Sequence, residues 1–179
     1  MRTSIHLVVA SLLSTISGIS AQNTVYLIRH GEKPEDDKEN GLSAQGLERA
    51  QCLRNVFGAS SGYYIDYIIA ERPKSDGSRH RPLMTVQPLA DDLGITVDTF
   101  CQRDDPTCVA NLVFDHDKWR SGNVLICWEH NALTDIVEAL GDNDAPTYPD
   151  ASFNYIWTDP SPYGAVTQET SEMCPGLDS

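Results

Sequence analysis

The sequence is short of positive charge. Its 179 residues carry 13 Lys+Arg against 26 Asp+Glu, a formal net charge of −13, and the pI is near 4.5. Such a surface repels a phosphate backbone, which excludes a general nucleic-acid binder and a binder of anionic membranes. No apolar run is long enough to span a bilayer. There is no Asn-x-Ser/Thr acceptor, so N-linked glycosylation is not expected. Internal repeats, low-complexity tracts and long linkers are also missing, and the length suits one domain rather than two. What is present is enough apolar mass for a core, 40% hydrophobic residues, which excludes global disorder.

The first 21 residues read as a secretory signal: Arg2 at the start, an apolar stretch over 5–13, then small residues up to Ala21. Cleavage after Ala21 is the expectation. It would leave one extracellular domain over residues 22–179, with 12 Lys+Arg against the same 26 acids, a charge of −14. Secretion permits disulfides. Five cysteines are available, an odd number, so at least one stays unpaired within the chain. Cys101 and Cys108 close a short polar loop and form the expected pair; Cys52 with Cys174 is a second candidate. Cys127 sits in an apolar run and reads as a buried small hydrophobe.

Apolar runs and helical periodicities alternate along the chain. Residues 25–28, 65–70 and 124–128 read as buried strands, 96–100 as a weaker one, and 154–158 and 165–169 as edge strands. A helix capped by Ser43 runs to about Phe57. A second starts at Pro82 and ends before Gly94, with Pro88 expected to kink or split it. Leu133, Ile136, Val137 and Leu140 mark a third, stopped by Gly141. The fold class that follows is α/β, a mainly parallel sheet with helices on both faces.

In such sheets ligands sit beyond the carboxyl ends of the strands. Arg29-His30-Gly31-Glu32 follows the first strand directly, and Glu129-His130-Asn131 follows the strand over 124–128. Two histidines 100 residues apart are thereby predicted at one rim. Cations gather nearby: Arg72, Lys74, Arg79 and Arg81 lie within ten residues. Arg72 and Arg79 read equally well as a solvated basic loop. Arg81 stands at a helix start, where the helix N-terminus and an arginine fork both suit phosphate.

Arg29-His30-Gly31 after an apolar strand resembles the opening motif of the histidine phosphatase superfamily, the phosphoglycerate mutase-like fold. Arg81-Pro82-Leu83-Met84-Thr85 resembles that family's Arg-Ala-x-x-Thr element with Pro in place of Ala, and His130 resembles its second histidine. The three elements fall in the family's order across residues 25–158, and the details are similar to small secreted fungal members. The resemblance implies a phosphate pocket of Arg29, His30, Arg81 and His130. His30 would attack phosphorus and become a phosphohistidine, the arginines would hold the transferring group, and no cofactor would be needed. The leaving group's proton donor stays open among Glu32, Asp104, Asp105 and Glu129. Asn131 follows His130, so the His-Asp pair of the acid-phosphatase branch is missing, and with it the basis for a phytase-like role.

Three functions compete. The first is a secreted, metal-independent hydrolase of a small phosphomonoester. The second is a non-catalytic binder of phosphate or a phosphorylated ligand on the same fold, favoured by the bulk and charge of Trp128-Glu129 beside His130. The third is a metal hydrolase built on His30, Glu32, Glu129 and His130, whose donor types suit zinc but whose neighbouring arginines repel a cation. An acidic surface around a cationic pocket attracts an anionic substrate only at contact. Raising salt should therefore leave kcat/KM for an aryl phosphate unchanged or slightly higher; a steep fall would contradict this.

Overall fold

The computed structural model describes residues 22–36 and 39–178; the predicted secretory segment, residues 1–21, lies outside the described residues. The elements in chain order are β1 (Thr24–Arg29), α1 (Ala44–Val56), β2 (Ile65–Ala70), α2 (Arg81–Leu93), α3 (Pro106–Trp119), β3 (Asn123–Trp128), α4 (His130–Leu140), β4 (Tyr155–Pro160) and β5 (Gln168–Ser171).

The strands form one sheet in the order β2-β3-β1-β4-β5. β1 and β2 both pair with β3 in parallel, whereas β4 runs antiparallel to β1 and β5 antiparallel to β4. The sheet is thus mixed, which corrects the expectation of a mainly parallel one. Parallel neighbours need a crossover, and α1, α2 and α3 supply it between β1, β2 and β3. After α4 no helix intervenes. Residues 141–154 return to the carboxyl rim before β4 starts, so Ile156 opposes Ile28 and Pro160 opposes Thr24.

Period-two alternation sends the strand side chains into two cores. On one face Ile28, Ile68, Leu125 and Cys127 meet Leu53 and Phe57 from the α1 side and Val86 and Leu89 of α2. On the other, Leu27, Ile69, Ile126 and Trp128 meet Val109 and Val113 of α3 and Leu133, Ile136 and Val137 of α4. Ser43 caps α1, its side chain accepting from the Gly46 amide at 3.1 Å.

Four local readings change. Residues 96–100 make only an isolated parallel bridge, Asp98 to Ile69, because the Asp98 carboxylate turns to accept from the Phe100 amide. Pro88 lies inside α2 without splitting it. Gln168–Ser171 is the last strand, displaced from the expected 165–169. Helix α3 was not anticipated at all, although Asp105 caps it and Pro106 opens it.

Both candidate disulfides form, Cys101–Cys108 ahead of α3 and Cys52–Cys174 between α1 and the C-terminal segment. Cys127 is free and buried, and burial pushes its thiol well above the usual range.

Gly46 lets α1 touch the loop after β1. A Cβ there would lie 2.5 Å from the Glu32 carbonyl oxygen and 2.9 Å from its amide nitrogen, both backbone atoms. Helix propensity alone predicts that Gly46→Ala stabilises by about 1 kcal/mol. The contact predicts the opposite sign, a loss of about 1–3 kcal/mol in urea unfolding.

Candidate active site

The three parallel strands each deliver one titratable residue to the same rim. His30 follows β1, Glu71 follows β2 and Glu129 follows β3. They line one cavity of about 130 Å³ together with Arg79, Arg81, Pro82 and Arg103. The fold thus gathers residues from the ends of three strands, the first turn of α2 and the Cys101–Cys108 loop.

His30 is buried, and its amide donates to the Trp128 carbonyl at 3.1 Å, extending the β1–β3 ladder by one residue. The ring's Nδ1 lies 2.8 Å from the Gly31 carbonyl oxygen. A carbonyl only accepts, so Nδ1 carries the proton and the Nε2 lone pair is free. The Gly31 amide donates to Thr85 Oγ1 at 2.9 Å, and that hydroxyl donates to the Arg81 carbonyl at 2.8 Å. The nucleophile's loop is therefore tied to the first turn of α2. Burial lowers the His30 pKa to about 4; the Gly31 hydrogen bond opposes this, and Arg29 and Arg81 add to it. The ring is neutral at physiological pH.

Arg29 is also buried. Its Nη1 donates to the carbonyls of Asp150 at 2.6 Å and Ser152 at 2.7 Å, and its guanidinium carbon stands 3.8 Å over the Phe153 ring. Its Nε is buried without a hydrogen-bond partner, and Arg29, although adjacent to His30, is not among the residues that line the His30 cavity. Arg81 is steadied by the loop before α1: Nε donates to the Gly41 carbonyl and Nη2 to that of Glu39, both at 3.0 Å. Arg103 reaches the cavity because the Trp128 indole donates to its carbonyl at 3.1 Å. Nothing local in the sequence marks Arg103, and Arg79, equally readable as a solvated loop cation, lies in the cavity.

The remaining candidates sit elsewhere. His130 opens α4 but does not line the His30 cavity. Its Nε2 donates to Asp150 Oδ1 at 3.1 Å, and its Nδ1 stands 2.7 Å from Glu129 Oε1 without hydrogen-bond geometry. Glu32 is drawn toward Arg49, whose Nη2 donates to it at 2.7 Å, and it faces a neighbouring cavity. Arg49 is fully buried and also binds Glu172 at 2.5 Å and Asp178 at 2.9 Å, so the Glu32 carboxylate is committed to a structural ion cluster. Asp104 points outward and pairs with Arg103 and Arg79. Asp105 caps α3. Glu129 accepts from the Asn131 amide as the cap of α4.

Among the described residues the donors proposed for a metal centre do not converge on one point: His30 and Glu129 share a cavity and Glu129 lies beside His130, but Glu32 is held by Arg49. Among the described residues the ligating atoms of Glu172, Cys174 and Asp178 lie within 4.8 Å of one another, but Cys174 is in a disulfide and both carboxylates hold Arg49. Among the described residues no helix is long and apolar enough to cross a membrane.

No local motif in the sequence marks Glu71, yet it is a carboxyl of the His30 cavity. It is buried, one residue past β2, in the His30 cavity. The strand-end rule that singled out His30 applies equally to it.

No protein-family model matches the sequence, and no curated protein matches it. Solved structures with the same fold do. A protein histidine phosphatase SixA complexed with tungstate superposes with a TM-score of 0.62 at 14% identity, covering 83% of this chain and 97% of that one. A phosphoserine phosphatase from Entamoeba histolytica, a mutant in complex with phosphoserine, gives 0.55 at 14% identity over 86% and 99%. A phosphoglycerate mutase from Bacillus anthracis gives 0.56 at 12% identity over 85% and 92%. These neighbours are members of the histidine phosphatase superfamily, and the chain shares their fold.

The depressed His30 pKa has a testable sign. The unfolded chain binds this proton near pH 6.5 and the folded one only near 4, so stability from a neutral His30 is complete above 6.5 and lost as pH falls toward 4. The ring resonance assigned through its loss in His30→Gln should titrate by NMR near pH 4. A midpoint near 6.5 would contradict the desolvated site.

Proposed function

We propose that this protein is a phosphatase that hydrolyses a small phosphomonoester through a phosphohistidine on His30, and that it acts outside the cell. The observation that carries the reading is the His30 ring. It is neutral, locked by Gly31 with Nε2 free, and it shares a cavity with the Arg81 guanidinium. A neutral imidazole with its lone pair held toward a cationic pocket is built to attack phosphorus.

The residues divide the work. The His30 Nε2 lone pair forms the bond to phosphorus as the ester oxygen departs. Arg29 and Arg81 neutralise charge on the transferring group, and both are fixed by main-chain carbonyls, so little reorganisation is needed. His130, at the first turn of α4, supplies a further donor to a phosphate oxygen once released from Asp150. The neighbours whose names or contents point to phosphate chemistry, bound tungstate in one and phosphoserine in another, support the same class. The cavity's small volume fits a phosphoryl group, with the rest of a small substrate lying outside. Secretion rests on the composition of residues 1–21, and the two disulfides accord with an oxidising setting.

A second reading, a phosphate-binding protein without turnover, has one observation in its favour. The Glu129 carboxylate lines the same cavity, where it opposes a bound anion. Trapping decides between them. Wild type mixed with an aryl phosphate in the presence of a chelator should yield an acid-labile, base-stable phosphoenzyme and steady turnover. His30→Ala should lose both, with activity reduced by at least about 10³-fold. Phosphate binding by calorimetry with no trapped phosphoenzyme would establish the binder instead.

A further inference from the structure

The phosphatase reading leaves one chemical need unfilled. An alkoxide is a poor leaving group, so the departing oxygen needs a proton from a group in the same pocket. Of the carboxyls weighed from the sequence, Glu32 is bound to Arg49, Asp104 faces outward and Asp105 caps a helix. Glu129 caps α4, its Oε1 accepting from both the amide and the side chain of Asn131.

Resting on that reading, we infer that Glu71 is the proton donor to the leaving group and, in the second half of the reaction, the base that activates water. Its side chain is 98% buried at the end of β2 and lines the His30 cavity. Its Oε1 has no hydrogen-bond partner: Arg79 Nε approaches only to 3.6 Å, beyond hydrogen-bond range. A buried carboxyl oxygen left without a partner costs stability and calls for an explanation, which a proton-transfer role supplies.

Burial keeps this carboxyl protonated enough to donate, against the pull of the nearer arginines. Burial raises its pKa to about 7; Arg79 and Arg103 pull it down, while Glu129 and Asp104 push it up. Arg81 from α2 and His30 from the end of β1 complete the charged or titratable lining. Near neutrality Glu71 is divided between its acid and base forms, which is what a group that first gives and then takes a proton needs.

The step balances. The His30 Nε2 lone pair forms the N–P bond and the P–O ester bond breaks, its electron pair staying on the leaving oxygen. The Glu71 carboxyl proton moves to that oxygen, releasing the alcohol and leaving a carboxylate. Water then attacks phosphorus while Glu71 takes one of its protons. The N–P bond breaks with its pair returning to Nε2, and inorganic phosphate departs.

The test compares two leaving groups in one protein. Glu71→Gln keeps the shape and lacks the transferable proton. On glycerol 2-phosphate it should lose about 10²–10³-fold in kcat/KM. On 4-nitrophenyl phosphate, whose phenolate leaves unaided, the rate of phosphoenzyme formation should fall only a few-fold. The alkaline limb of the wild-type pH profile on glycerol 2-phosphate, with its midpoint near 7, should vanish in the variant. Both substrates share the phosphate ionisation, so a limb lost by substitution belongs to Glu71. Equal losses on the two substrates, or no loss on either, would overturn the role while leaving the phosphohistidine reading intact. A wild type that forms no phosphoenzyme from either substrate would remove both.

Discussion

Ladder hydrogen bonding between β1 and β3 continues one residue past the last strand pair, where the His30 amide meets the Trp128 carbonyl. The site depends on that contact. It puts the residue after β1 beside the residue after β3, so His30 and Glu129 enter one cavity although 99 positions separate them. Pairing of β2 with the other side of β3 adds Glu71 at the same height. A one-residue slip in either ladder would turn these side chains to the opposite face.

Around this frame the molecule uses main-chain carbonyls to hold its cations. Arg29 is fixed by residues 150 and 152 and Arg81 by residues 39 and 41, and the neutral His30 ring is held in the same way by Gly31. Carbonyl acceptors orient a guanidinium without cancelling its charge, so the pocket stays positive inside a strongly acidic protein. Where full neutralisation is wanted, carboxylates are used instead: Arg49 is buried among Glu32, Glu172 and Asp178, next to the Cys52–Cys174 bridge. That cluster pins the C-terminal segment to α1 and takes Glu32 out of the reacting pocket.

The antiparallel direction of β4 has a consequence for the site. A parallel β4 would have left residues 142–154 at the far end of the sheet. The return to the carboxyl rim brings Asp150, Ser152 and Phe153 onto Arg29 and brings Asp150 to His130. One loop thereby seats one arginine and one histidine of the predicted pocket.

Much of the site was legible. Apolar runs ending in Arg29-His30 and Trp128-Glu129-His130 mark strands whose carboxyl ends face one rim, because strand burial is written locally in residue type. Arg81 before Pro82 marks a helix start for the same local reason. Helix α3 escaped because its buried stripe, Val109, Ala110, Val113 and His116, is narrow and its first turn lies inside the segment that the Cys101–Cys108 bridge closes. Glu71 escaped because a carboxylate ahead of a basic run looks like an ordinary ion-pair partner. The sequence by itself determined the three buried strands, the starts of α1, α2 and α4 and the residues that follow each strand end, all set by neighbours a few residues apart. Only the tertiary structure decided which carboxyl is desolvated, which is neutralised by Arg49, and which way β4 runs. Those depend on the path of distant segments and on the water they displace, and no local pattern records either.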